Sequence, residues 1–330
     1  MIKGLLRAAI IAALVMILPL CAGISEEVLP PSPEPPAGTI QARPTPAPTA
    51  VPKATVIDHV HWPNEYKDFT FMEGKKLFEI WFPNIRDADE AVLVYDGKAW
   101  MIDCGDAKSG ARGAKMLEQL GIMDIEVLLN THLHHDHIDG LEATAEVAKI
   151  GEIRICFAPD LTASGLQMIQ TAETWEIPVK EYKDGDRFAM GDGAVEIQVL
   201  QNNEEELDIN NRSAVMKITY GNRSILFTAD MEWLGQDAMV RRLEENAGIL
   251  KSDILKYPHH AKADLNTPFY EAVEPALAVV TSLEGRKDAG QYALQRRCLP
   301  AVFTASKEYY IHLVTDGDYW LVEKVKINGE

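Results

Sequence analysis

From about residue 56 the chain reads as short apolar runs and amphipathic stretches separated by turn residues. Leu77 to Phe82 and Ala91 to Tyr95 carry the aromatic and β-branched side chains of strands. Asp96-Gly97 is a hairpin-turn dipeptide, and Lys98 to Asp103 is the strand returning from it. Gly110 to Leu120 has helical spacing and stops at Gly121. Ile125 to Leu129 is short and nearly all apolar, as in a strand covered on both faces. A helix is predicted over Ile138 to Ala148, a strand over Ile153 to Phe157 and a helix near Gly165 to Trp175. Strands follow at Val195 to Leu200, Ala214 to Tyr220 and Ser224 to Thr228, with Gly221-Asn222 turning between the last two. Gln236 to Glu245 reads as helix, and Ile254 to Tyr257, Ala276 to Thr281, 309–315 and 319–325 as strands. Strands and helices mixed throughout exclude an all-α fold and a simple sandwich. Too many tight turns join the strands for a doubly wound parallel sheet. The pattern predicts an α/β fold with two mixed β-sheets and outer helices.

Upstream the pattern changes. Lys3 and Arg7 precede an uncharged apolar run, Ala8 to Leu20, with small residues at Ala22 and Gly23. That run fits a signal h-region and is short of the roughly 20 residues a spanning helix needs. Residues 1–23 are therefore expected to be a signal peptide or an N-terminal anchor. Cys21 stands where a lipoprotein cysteine would, but Leu20 occupies a position that is normally small, so cleavage or anchoring ranks ahead of lipidation. Residues 24–55 read as a linker: nine of the 18 prolines lie between Pro30 and Pro52. The domain proper is 56–330. The expected location is outside the cytoplasm, secreted or held on the outer membrane face, with membrane contact only through the N-terminus.

Net charge is −18. Such a chain lacks the Lys/Arg footprint from which non-specific nucleic-acid binders draw affinity, although Lys256, Lys262, Arg212 and Arg286 could form a local basic patch. Cys104, Cys156 and Cys298, an odd number without paired spacing, argue against a disulfide framework, and Cys156 and Cys298 read as small buried hydrophobes.

The chemistry concentrates in Thr131-His132-Leu133-His134-His135-Asp136-His137-Ile138-Asp139-Gly140, where four of the nine histidines fall within six residues beside an aspartate. Imidazole and carboxylate suit zinc and neighbouring divalent metals. At a strand end His132 and His134 point one way, and Asp136 and His137 turn toward a second position.

This run resembles the HxHxDH signature of the metallo-β-lactamase superfamily, and the rest of the chain follows in order. Met101 to Asp106 looks like the strand whose Asp-x-Gly buttresses the metal loop, placing Asp103 behind a ligand. Ile225 to Asp230 resembles the strand whose aspartate bridges two metals, with Ala229 where glycine is usual. Leu255-Lys256-Tyr257-Pro258-His259-His260 resembles the strand that delivers the last histidine. Two adjacent histidines leave that choice open; His259, nearer the strand, is the expected ligand and His260 the expected substrate-facing residue. The resemblance implies a four-layer αββα fold and two divalent ions, zinc first and manganese second, held by His132, His134, Asp136, His137, Asp230 and His259. It implies catalysis by a metal-bound hydroxide, with Asp136 and His260 as catalytic residues.

Within the superfamily, Asn210 to Val215, Ile218 to Gly221 and Leu255 to His260 resemble the hydrolase domain of ComEC-type late-competence proteins. No histidine occurs from 138 to 258. Asn210 stands where many relatives place another ligand, so it belongs beside the site. Ala261-Lys262 replaces that branch's Gly-Ser. The resemblance favours a phosphodiester or related ester, in a small molecule or a polymer, with nucleic acid disfavoured by charge. A β-lactam or lactone hydrolase, and a non-catalytic metal-binding module, are the alternatives.

Overall fold

A computed structural model describes residues 54–59, 72–305 and 309–327, all within one compact unit, Pro48–Glu330. The signal or anchor read at 1–23 and nearly all of the 24–55 linker lie outside the described residues. Among the described residues no helix is long and apolar enough to cross a membrane.

In chain order the first strands are β1 (Ala54–His59), β2 (Phe78–Phe82), β3 (Glu90–Tyr95) and β4 (Lys98–Cys104), followed by helix α1 (Gly110–Leu120). Next come β5 (Asp124–Ile125), β6 (Val127–Leu129), α2 (His135–Ile138), α3 (Leu141–Val147), β7 (Lys149–Ile150), β8 (Ile153–Ile155), α4 (Ala163–Thr174) and β9 (Val179–Glu181). The second half runs β10 (Arg187–Met190), β11 (Val195–Leu200), β12 (Val215–Tyr220), β13 (Arg223–Phe227), α5 (Trp233–Arg242), β14 (Ile254–Lys256), α6 (Thr267–Val273), β15 (Leu277–Val280), α7 (Ala289–Arg297), β16 (Ala301–Phe303), β17 (Tyr310–Thr315) and β18 (Trp320–Ile327).

The larger strands form a nine-stranded sheet, β1-β18-β17-β2-β3-β4-β6-β8-β9, and a seven-stranded sheet, β10 to β16 in sequence order. Each is antiparallel where hairpins join its strands and becomes parallel where the ligand loops emerge: at β4–β6 in the first, at β13–β14 in the second. The hairpin at Asp96-Gly97 forms with both residues at positive φ, 51° and 75°.

Strand alternation builds the layers. Phe78, Ile80, Phe82, Leu93 and Ile102 of the first sheet pack against Val195, Ile197, Met216, Ile225 and Val279 of the second. The opposite faces are covered separately. Met116, Leu117, Leu141, Ala145 and Met168, from α1, α3 and α4, pack on Val92, Met101 and Leu128. Met239, Phe269, Val273 and Leu294, from α5 to α7, pack on Leu226, Leu255 and Val280. Three apolar layers between four structural layers make the αββα arrangement the sequence implied.

One close approach sets the metal loop against its support. A Cβ on Gly140 would fall 1.9 Å from the Cys104 carbonyl oxygen, so only glycine lets the loop's end lie on the end of β4. Among the described residues Cys104, Cys156 and Cys298 are unpaired, but Cys298 is exposed rather than buried. It caps the C-terminus of α7 in a left-handed conformation, φ 50°.

Candidate metal centre

The centre lies where the ends of β4 and β6 meet those of β13 and β14. Beyond β6, Asn130 and Thr131 are fastened to Asp103 at the end of β4. The Asp103 carboxylate accepts from Asn130 Nδ2 (2.9 Å), the Thr131 backbone N–H (2.7 Å) and Thr131 Oγ1 (2.7 Å). With the strand end fixed, His132 Nε2 and His134 Nδ1 converge to 3.1 Å. His134 is still extended, φ −90° and ψ 155°, and α2 starts directly after it. That single helical turn swings Asp136 and His137 to the other side and leaves His135 outward, its side chain 70% exposed.

From the other sheet comes Asp230, 1% exposed. Its two oxygens face different groups. Oδ1 lies 3.2 Å from His137 Nε2 and 3.5 Å from His260 Nε2. Oδ2 lies 4.0 Å from His132 Nε2 and 3.5 Å from His259 Nε2.

The paired histidines take different places. His260, not His259, joins Asp136, His137 and Asp230 in a buried set whose ligand atoms all lie within 4.8 Å of one another. His260, expected to face substrate, is fully buried, with Nε2 3.4 Å from Asp136 Oδ2. The more open member is His259, its side chain 18% exposed. The cause is backbone: His259, His260 and Ala261 all have positive φ, 48°, 52° and 64°, which turns the second imidazole back toward the strand ends.

Two carboxylates set the imidazoles from behind. Asp103 Oδ2 lies 2.7 Å from His137 Nδ1. Asp89 Oδ1 lies 3.0 Å from His260 Nδ1 and accepts from Thr281 Oγ1 at 2.6 Å, while buried Lys256 bonds its other oxygen. Such contacts fix the ring and leave Nε2 as the ligand atom. Sequence reading missed Asp89; the available signal was the acidic pair Asp89-Glu90 opening an otherwise apolar strand.

Electrostatics describe a site prepared for a cation. Burial alone would make Asp230 neutral, yet His260 and His137 outweigh it and hold the carboxyl well below its ordinary range. Burial opposes charge on His137 too, but Asp230 and Asp103 raise it well above an ordinary imidazole. His132 and His134 go the other way, lowered by burial and by the charge on His137, so both present lone pairs. His137 Nε2, His260 Nε2 and Asp230 Oδ1 are buried and make no hydrogen bond, although they face one another. Buried polar atoms are rarely left so, and an ion among them would satisfy all three at once. These residues fit divalent metal.

Asn210 lies in a loop tied to the metal loop, where Ala214 N–H donates to the Thr131 carbonyl. Its Oδ1 is buried and makes no hydrogen bond.

The sequence model of the metallo-beta-lactamase superfamily matches residues 90–275. The chain belongs to this superfamily. The matched span runs from β3 to just past α6 and so contains every residue of the centre except Asp89 and Thr281. Members of the superfamily are typically metallo-hydrolases. Among solved structures the chain is similar to the metallo-beta-lactamase fold protein YhfI from Bacillus subtilis, at 14% identity and TM-score 0.46, over 68% of this chain and 95% of that one. It is also similar to a B3 metallo-beta-lactamase with an active-site glutamic acid, at 17% identity and TM-score 0.42, over 66% and 86%. A variant of the CmlA beta-hydroxylase aligns at 16% identity and TM-score 0.43, over 69% and 52%. No curated protein matches the chain.

Proposed function

We propose that this protein is an exported metal-dependent hydrolase acting on a phosphodiester or related ester, of the kind carried by ComEC-type hydrolase domains. The observation that supports it most is the placement of Asp230, with one oxygen toward His137 and His260 and the other toward His132 and His259. A carboxylate so divided suits two metals held side by side. Zinc is the first expectation and manganese the second, at positions held by His132 with His134, and by Asp136, His137 and His260. Bound there, such ions lower the pKa of water toward neutrality and polarise the oxygen under attack.

The chain's own groups then have definite tasks. Burial opposes charge on Asp136, but His260 and His137 outweigh it and hold the carboxyl below its ordinary range. Asp136 Oδ2 faces His260, while Oδ1 turns outward toward exposed His135, where it can orient an attacking water and accept its proton. Asp103 and Asp89 keep two imidazoles aimed during turnover.

Charge argues for a small substrate over a long nucleic acid. Lys256 is buried against Asp89, and Arg286 is held by Asp87 and Asp288. Of the four cations that could have met a polyanion, these two are already engaged. Arg212 is half-buried over the Phe157 ring, which leaves Lys262, exposed just after the histidine turn, for one anionic group. Release by signal cleavage or retention by an N-terminal anchor would put the domain outside the cytoplasm.

The test is a substrate panel for the purified protein with Zn(II) or Mn(II): bis(p-nitrophenyl) phosphate, a lactone and nitrocefin. Metal-dependent phosphodiester cleavage is the expected result. Turnover of nitrocefin alone, or wild-type phosphodiesterase activity in a His132→Ala/Asp230→Ala double variant, would overturn the reading.

A further inference from the structure

The metal loop brings only two imidazoles to the position at His132 and His134, and the chain has no other histidine between 138 and 258. We propose that His259 supplies a third, so that the adjacent histidines of one turn serve different metals: His260 the position with Asp136 and His137, His259 the position with His132 and His134. The proposal rests on the two-metal reading above.

Three observations carry it. First, Asp230 separates the pair. His260 Nε2 faces Oδ1 at 3.5 Å, the oxygen that also meets His137. His259 Nε2 faces Oδ2 at 3.5 Å, the oxygen that also meets His132. Second, a carboxylate stands on the far side of the His259 ring: Glu232 Oε1 lies 2.8 Å from its Nδ1, a close charge contact without hydrogen-bond geometry, where Asp103 hydrogen-bonds His137 and Asp89 lies 3.0 Å from His260. Carboxylates behind Nδ1 are the usual support of ligating imidazoles. Third, the backbone departs from its preferred region to achieve the split. Three successive non-glycine residues, His259 to Ala261, have positive φ, and the His259 N–H donates at 2.9 Å to Ala229 O, beside Asp230. Such a run persists only where its surroundings enforce it, and it clusters at functional sites.

The histidine that sequence order places in the second site thus completes the first. Its partial exposure suits this place, because the first position is the more open one: His134 is half-buried, whereas His137 and His260 are enclosed.

Metal counting tests the assignment without reference to turnover. Wild-type protein equilibrated with Zn(II) and analysed by elemental analysis should hold two ions per chain. His259→Ala should keep one, with affinity for the other reduced by more than the 10–100-fold (roughly) typical of losing an outer partner. Glu232→Gln should weaken the same ion by about 10–100-fold. Absorption of the Co(II)-loaded protein should change alike in His259→Ala and His132→Ala, and differently in His260→Ala. X-ray absorption of the zinc-loaded wild type, which needs no variant, should count five histidines shared by two ions rather than four. A wild type with two ions and a folded His259→Ala that also holds two at unchanged affinity overturns the assignment alone. A wild type that holds at most one ion overturns the two-metal reading and the assignment with it.

Discussion

His260 Nδ1 and Asp89 Oδ1 stand 3.0 Å apart, and Lys256 closes on the same carboxylate from the core side. Asp89 thus does two things: it orients a metal-facing imidazole and neutralises a buried ammonium. Removing its charge should separate them. Asp89→Asn is expected to weaken one metal by about 10–100-fold. It should also cost about 3–5 kcal/mol in the metal-free protein, because Lys256 is left buried and unpaired. Adding Lys256→Met should restore stability but not metal affinity. Urea unfolding in chelator and competition titration read the two effects separately. If the second substitution restores neither or both, the division is wrong.

The centre draws its groups from both sheets: Asp103 and the His132–His137 loop from the first, Asp230 and His260 from the second. A bound ion is therefore a cross-link between sheets, and binding free energy adds to folding free energy. At free metal 100 times Kd the gain is about 2.7 kcal/mol per site. For a domain of this size that raises Tm by roughly 5–10 °C. Calorimetry with and without EDTA checks it. Asp230→Asn should abolish the metal-dependent shift, and a shift of wild-type size in that variant would count against a shared carboxylate.

His312 on β17 stacks on Trp81, with centroids 3.8 Å apart, and meets Glu79 and Glu323, each at 2.9 Å. Burial opposes its protonation, but the two carboxylates prevail and its pKa is raised. The pair stabilises the fold fully below the unfolded-state value of about 6.5 and loses that contribution as pH rises through the higher folded value. The stability advantage of wild type over His312→Gln should be largest near pH 6 and shrink toward pH 9. A difference that stays constant over that range would show that the ring contributes by packing alone.

What the sequence disclosed follows from what each feature depends on. The apolar runs of β2 to β4, β6 and β11 to β15 were legible because strand burial writes itself as a local pattern. The metal loop was legible because six consecutive residues carry its chemistry. β9, β10 and β16 are short, and polar residues dominate β9, so period alone did not mark them. Helix α6 was missed despite its signal: Asn266 Oδ1 accepts from the Phe269 N–H, and proline occupies the first turn. The roles of His259 and His260 were not legible, because no glycine announces the left-handed turn that sets them. Nor was Asp89, whose partner His260 lies in the other half of the chain.

Strand β1 pairs with β18 at one edge of the nine-stranded sheet, six strand steps from β6. At about 4.8 Å per step, some 30 Å (roughly) of sheet separates the point where the chain enters at Ala54 from the strand that presents the first ligands. A tension applied through residues ahead of Ala54 therefore loads the β1–β18 ladder and not the metal loops. A tag, a surface coupling or a tether joined there pulls on a strand far from the metal centre.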